Sequence, residues 1–243
     1  MIYLNVLLLL HVIGDFYTQS NRVNLLKKES FKGLFTHVFM YTMPFLIFLF
    51  FISPLEYALV LIGYIFLAHL IIDYFKIRLE RHKNSTVQSF VIDQGFHIVV
   101  LIIAYFILRT YFVDTIRLET MLTENGVTVT LDYIVRVGLV FLIILKPVSY
   151  LIEMMLPKNK QFIPVEDANS SEPDYGDIIG KLERITILLF GLLNLYGSIA
   201  LVITAKSIAR FKQLEDKSFA QKYLIGTLLS LCITLILLLI FLG

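Results

Sequence analysis

Tryptophan is absent from the 243 residues, cysteine occurs once, and only 16% of the side chains are charged. Without tryptophan, any interfacial aromatic belt must come from the 13 tyrosines and 20 phenylalanines. A single Cys232 rules out an internal disulfide, and its Leu/Ile surroundings read as those of an inert packing residue. A net charge of +2 supplies no strong basic patch, which excludes nucleic acid as a partner. There is no Walker A, G-x-S-x-G or Cys-x-x-Cys pattern, so nucleophilic serine chemistry has no support. The start, Met1-Ile2-Tyr3-Leu4-Asn5, lacks the basic n-region of a signal peptide, and no small-residue cleavage site follows. It therefore reads as a helix of the mature protein.

What is present is apolar: 58% of the residues, with a mean hydropathy of +0.80. That lies outside the soluble globular range and points to an integral membrane protein. A helix needs about 20 apolar residues to cross a bilayer. Seven runs approach that length: about Ile2–Gln19, Gly33–Ile52, Leu55–Phe75, Val87–Tyr111, Tyr133–Leu156, Ile178–Ala205 and Phe219–Leu242. The expected fold is all-α, a polytopic transmembrane bundle of about seven helices, with six as the alternative. Pro44 and Lys146-Pro147 should kink the second and fifth runs.

Composition divides the chain into five parts. Residues 1–113 form a four-helix membrane bundle. Residues 114–131 are a polar external loop, where Val127-Thr128-Val129-Thr130 after Asn125-Gly126 suggests a small hairpin. The fifth helix falls in 132–156. Residues 157–177 are an acidic loop, and 178–243 hold the C-terminal helices with a basic connection.

Short Lys/Arg-rich loops stay cytoplasmic. The stretch Asn21–Lys32 carries Arg22, Lys27, Lys28 and Lys32, and reads as a basic loop with an interfacial turn. The stretch after Phe75 carries Lys76, Arg78, Arg81 and Lys83. Both go inside, which puts the N-terminus outside. The third basic stretch, Lys206, Arg210, Lys212 and Lys217, breaks the scheme, because simple alternation of seven crossings puts it outside.

Polar residues inside the first four runs carry the chemistry. His11 and Asp15, His69 and Asp73, and Asp93 and His97 are each four residues apart, which places each pair on one helix face. His37 stands alone near the start of its run. With the topology above, all of these lie at the cytoplasmic ends of their helices. Ionisable groups in such segments are costly unless partnered and mark functional sites.

His and carboxylate ligands without thiolate suit zinc, manganese or iron. The candidate ligands are His11, Asp15, His37, His69, Asp73, Asp93 and His97, enough for one divalent ion or two with a bridging carboxylate. Asp15 or Asp93 could act as general base instead. Gln19, Lys76 and Gln94 are candidate supporting or substrate-binding groups. Two other readings of the pairs stay open: interhelical His–Asp hydrogen bonds without metal, and a proton or ion pathway.

The motifs His11-Val12-Ile13-Gly14-Asp15-Phe16 with Gln19, His37, His69-x-x-x-Asp73 and Asp93-Gln94-x-x-His97 resemble the DUF3307 family of bacterial membrane proteins. So do three C-terminal blocks: Ile179-Gly180-Lys181-Leu182-Glu183-Arg184, Ala205-Lys206-Ser207-Ile208-Ala209-Arg210-Phe211, and Tyr223–Ser230. The resemblance leaves Asp114–Tyr175 as a variable middle. It implies a multi-pass protein of the bacterial inner membrane and no defined activity. It also draws attention to Glu183, Arg184, Lys206 and Arg210, which read as snorkelling anchors or as contacts to a lipid headgroup or a cytoplasmic protein partner. Thr204–Glu215 could form an interfacial amphipathic helix.

The reading favoured by the sequence is a metal-dependent hydrolase of a lipid or other amphiphilic phospho- or acyl ester. The alternatives are a proton or metal-ion transporter or channel using the same polar row, and a non-catalytic anchor or effector with a buried polar network. The nearly apolar outer halves of the helices weigh against a transport path.

Overall fold

Apolar runs bounded by polar stretches fold as helices wherever the computed structural model describes the chain, at residues 2–52, 55–80, 86–111, 130–156 and 175–243. Ser53-Pro54, Arg81, His82 and Lys83, the external hairpin expected before Thr130 and the acidic loop expected before Tyr175 lie outside these residues. Every described element is helical: α1 (Ile2–Val12), a π-helical turn (Ile13–Tyr17), α2 (Asn21–Glu29), α3 (Phe31–Ile52), α4 (Leu55–Glu80), α5 (Val87–Tyr111), α6 (Leu131–Leu145), α7 (Pro147–Met155), α8 (Tyr175–Leu192), α9 (Tyr196–Ala209), a 3-10 turn (Phe211–Glu215) and α10 (Lys217–Leu242).

Five stretches are long and apolar enough to cross a membrane: Phe31–Phe50, Leu55–Glu80, Val87–Thr110, Leu131–Met155 and Lys217–Leu242. A sixth is added if α1 with its π turn and α2, which meet at 87°, are counted as one bent span. The protein is therefore membrane-embedded and all-helical, with five or six such spans among the described residues rather than seven.

The first run counts only together with α2, and the sixth run is broken. Asn194 has a φ of 56° and interrupts it. Leu195 N–H donates to Phe190 O at 2.8 Å and Asn194 N–H to Gly191 O at 3.1 Å, the paired bonds of a Schellman C-cap. Asn tolerates the left-handed backbone this cap requires. Lys206, near the end of α9, pairs with Glu183 of α8. That contact brings α9 back to the level of Glu183, so α8 and α9 form a helical hairpin and not one rod.

Other boundaries follow local chemistry. The basic stretch after the first run is a helix, α2, not a loop; Ser20 Oγ accepts from Val23 N–H at 3.3 Å and caps it. Lys146 breaks the fifth run as expected, and Pro147 opens α7. Pro44 sits inside the single helix α3. Asp216 caps α10, accepting from Phe219 N–H at 2.6 Å. Arg210 and the 3-10 turn separate α9 from α10, so Thr204–Glu215 is not one amphipathic helix. Cys232 is exposed on α10 rather than packed inside.

The chain forms two compact units, residues 1–142 and 143–243, with the division inside α6. In the first, Leu7, Phe45, Leu49, Ala58, Leu61, Ile65, Leu101, Ala104 and Leu108 make a buried apolar core shared by α1, α3, α4 and α5. The outward faces of α3, α4 and α5 carry exposed Leu, Ile and Phe, as a lipid-facing surface does.

In the second unit, Lys206 also donates to Thr227 Oγ1 at 3.0 Å and lies 5.2 Å from the Tyr223 ring centroid. Arg184 donates to Ile144 O and Ser149 Oγ. Glu183 and Arg184 are buried, so they tie helices together inside the unit and are not surface anchors. Arg210 stands outside this network, over the Phe219 ring.

Candidate metal centre

At one end of the first unit, the C-terminal ends of α1 and α4 meet the N-terminal ends of α3 and α5. This brings the seven His and Asp side chains singled out in the sequence into one region. His11, His37, His69, Asp73, Asp93 and His97 are all buried. Asp15 keeps 12% of its side-chain surface exposed.

His37 Nε2 lies 3.2 Å from His69 Nε2, 3.2 Å from Asp73 Oδ2 and 3.7 Å from Asp15 Oδ1. His69 Nε2 lies 3.7 Å from Asp73 Oδ2. Ligand atoms each bound to one tetrahedral zinc-like ion are about 3.3–3.6 Å apart, from bond lengths of about 2.0–2.2 Å. The observed separations bracket that range.

Two overlapping groups could hold an ion: Asp15, His37 and His69, and His69, Asp73 and His97, with ligand atoms in each group within 4.8 Å of one another. Both need His69. Because a neutral ring nitrogen has one lone pair, the two groups are alternative positions for one ion, or parts of one set.

Unmet bonds point the same way. Asp73 Oδ2 and His97 Nε2 are buried without a hydrogen-bond partner, whereas the likewise unmet His37 Nδ1 and His69 Nδ1 are the far nitrogens of rings whose Nε2 atoms face the cluster. Asp73 Oδ2 lies 3.2 Å from His37 Nε2 and 3.7 Å from His69 Nε2, as an atom facing a common ion would. His97 Nδ1 meets the Asp93 carbonyl oxygen at 2.8 Å. A carbonyl only accepts, so Nδ1 carries the proton and Nε2 presents its lone pair. A backbone carbonyl holding the far ring nitrogen is the usual support for a metal-binding histidine.

His11 plays a different part. The Gln94 amide nitrogen donates to Asp15 Oδ2 at 3.0 Å, which turns Gln94 Oε1 toward His11 Nε2 at 3.1 Å. His11 Nε2 must then be the donor, leaving Nδ1 to accept from the Tyr41 hydroxyl at 3.1 Å. Both ring nitrogens of His11 are occupied, so it orients the neighbouring groups. Asp93 Oδ2 takes the Lys76 ammonium at 2.6 Å and the Gln94 amide at 3.3 Å. Gln19 follows the π turn and accepts from Lys27 Nζ at 3.1 Å.

Tyr41, Lys27 and Gly14 are additions that the spacing argument missed. Tyr41 stacks on His69 with centroids 3.6 Å apart and interplanar angle 13°. It sits four residues after His37, the same spacing that marked the other pairs. Lys27 Nζ is 3.6 Å from Asp73 Oδ2, brought there by the capping of α2. Gly14 lies where α1 meets α3: a Cβ there would come within 2.6 Å of Tyr41 O. The π turn, closed by Thr18 N–H to Ile13 O at 3.0 Å, carries Asp15 at this contact. Such turns recur at functional sites.

The family model described as "Protein of unknown function (DUF3307)" matches residues 3–128. That segment takes in every residue of the cluster; the C-terminal blocks lie beyond it. No curated protein and no solved structure matches the chain.

Proposed function

The chain belongs to the DUF3307 family, and we propose that its first unit is a divalent-metal centre that hydrolyses a lipid or other amphiphilic ester at one face of the membrane. The carrying observation is the convergence of Asp15, His37, His69, Asp73 and His97, with donor atoms 3.2–3.7 Å apart where measured around His37 and His69. His37, His69, Asp73 and His97 would hold one ion, with Asp15 beside it as general base instead of ligand. A zinc, manganese or iron ion bound there supplies a polarised ester oxygen and an acidified water.

The protein's own groups set the rest. Asp15 is the most exposed carboxylate of the cluster, which is where water would reach it and where it would take a proton. Gln94 bridges Asp15 and His11 and keeps that carboxylate in place. Tyr41 fixes His69 by stacking and His11 by hydrogen bonding. Beyond the cluster the unit closes on the apolar core from Leu7 to Leu108, which favours chemistry at one face over passage through the bundle.

The enclosing membrane is the inner membrane of a bacterium, with the N-terminus outside and the centre at the cytoplasmic leaflet. The two Lys-rich ends flanking the centre support that orientation.

Elemental analysis of the purified protein tests the reading. About one zinc, manganese or iron per chain is expected, falling to background in His69→Ala/Asp73→Ala. The metal-loaded wild type should then cleave a lipid ester or phosphoester that the double variant leaves intact. A folded wild type that no added metal loads would refute the centre.

A further inference from the structure

Above the buried imidazoles, the least buried members of the cluster are two lysines and Asp15. Lys27 and Lys76 expose 11% and 24% of their side chains, against 3% for both Asp73 and Asp93. Lys27 comes from α2 and Lys76 from the end of α4, so they border the less buried side of the cluster from two elements. Each ammonium has three N–H donors. Lys27 hydrogen-bonds Gln19, and Lys76 hydrogen-bonds Asp93. Each therefore keeps donors for a further acceptor.

The charges sharpen the point. Asp15, Asp73 and Asp93 stand against Lys27 and Lys76, which leaves one negative charge when the imidazoles are neutral. A divalent ion turns that into one positive charge. A net charge in a desolvated site is unfavourable, so the loaded centre is matched to an anion. A neutral acyl ester leaves that positive charge unbalanced and brings no charged oxygen to the donors the lysines have left over. A phosphoryl group, with several charged oxygens, meets both lysines and the ion together.

Resting on the metal reading above, we infer that Lys27 and Lys76 form the rim of a phosphoryl-binding site, and that the ester handled by the centre is a phosphate ester. The group could belong to a lipid headgroup or to a soluble phosphate; the shared chemistry is the phosphoryl oxygens.

The test uses the full chain in neutral-lipid nanodiscs, loaded with manganese, and titrated with inorganic phosphate by calorimetry. Metal content is measured on the same sample. Wild type should bind phosphate at least tenfold more tightly than acetate. Lys27→Met/Lys76→Met should weaken phosphate at least tenfold with manganese unchanged, whereas Lys27→Arg/Lys76→Arg should stay within about threefold of wild type. If the Met pair loses metal, the Arg pair and the wild-type selectivity decide. Nanodiscs doped with phosphatidic acid separate the sources: loss of phosphate binding there points to a headgroup, and unchanged binding to a soluble ester. A manganese-loaded wild type that does not prefer phosphate to acetate overturns the rim site and leaves the metal centre standing. A wild type that takes no metal overturns both.

Discussion

Gly14 shows how tightly single atoms are set at the centre. A methyl group there would meet the Tyr41 backbone oxygen at 2.6 Å and the Tyr41 ring at 2.8 Å, and backbone cannot rotate away. Gly14→Ala should therefore cost about 1–3 kcal/mol, the usual range for overpacking. It should also lower metal content, because Tyr41 carries His69 and His11. Gly63, also in the first unit, has open space where a methyl group would stand and is the control. Gly63→Ala should be neutral or stabilising by about 0.5–1 kcal/mol, since alanine suits a helix interior better. Thermal unfolding in detergent separates the two.

At this scale the sequence exposed which His and Asp side chains come together but not what each ring nitrogen meets. Spacing on one helix face groups His11 with Asp15; it is silent on the far ring nitrogen, which decides whether a histidine binds or orients. His11 is committed to Tyr41 and Gln94, while His97 has its Nε2 left over. Those assignments depend on residues 30 and 83 positions away from His11, distances that local pattern does not encode.

Among the elements, the break between α8 and α9 has the clearest local cause. Left-handed backbone costs a non-glycine residue roughly 1–2 kcal/mol, less for Asn. Asn194→Gly should keep the hairpin and match or exceed wild-type stability. Asn194→Val should lower the unfolding midpoint. Equal midpoints for the two variants would mean the cap contributes nothing. The hydropathy of Ile178–Ala205 concealed this break, because Leu193 and Leu195 flank the asparagine with apolar side chains. The basic stretch after the first run misled for the opposite reason: four cations in twelve residues look like a loop, whereas Ser20 caps a helix there. Long runs such as Leu55–Glu80 and Lys217–Leu242 were legible throughout, since nothing local competes with their helical preference.

For the whole molecule, the α8–α9 hairpin removes the conflict over the third basic stretch. If the hairpin enters and leaves by one face, Lys206 to Lys217 falls on the same side as Arg22 to Lys32. The chain then makes six crossings, with both termini on the other side. With Cys232 replaced by alanine, single cysteines at Ser20 and Gln213 should react with an impermeant maleimide only from the cytoplasm, and one at Gly243 only from outside. Seven crossings would reverse Gln213 and Gly243, so the pair of sites decides the topology.

The apolar core under the cluster, from Leu7 through Leu61 to Leu108, has one further consequence. It seals the buried end of the cluster with side chains that offer no polar path. If the centre binds an ion and an ester, both would enter past Asp15, Lys27 and Lys76, the least buried groups of the cluster, and whatever occupied that approach would govern traffic in both directions. A bound phosphate ester would then act as a stopper, holding the metal in place against a chelator for as long as it stays.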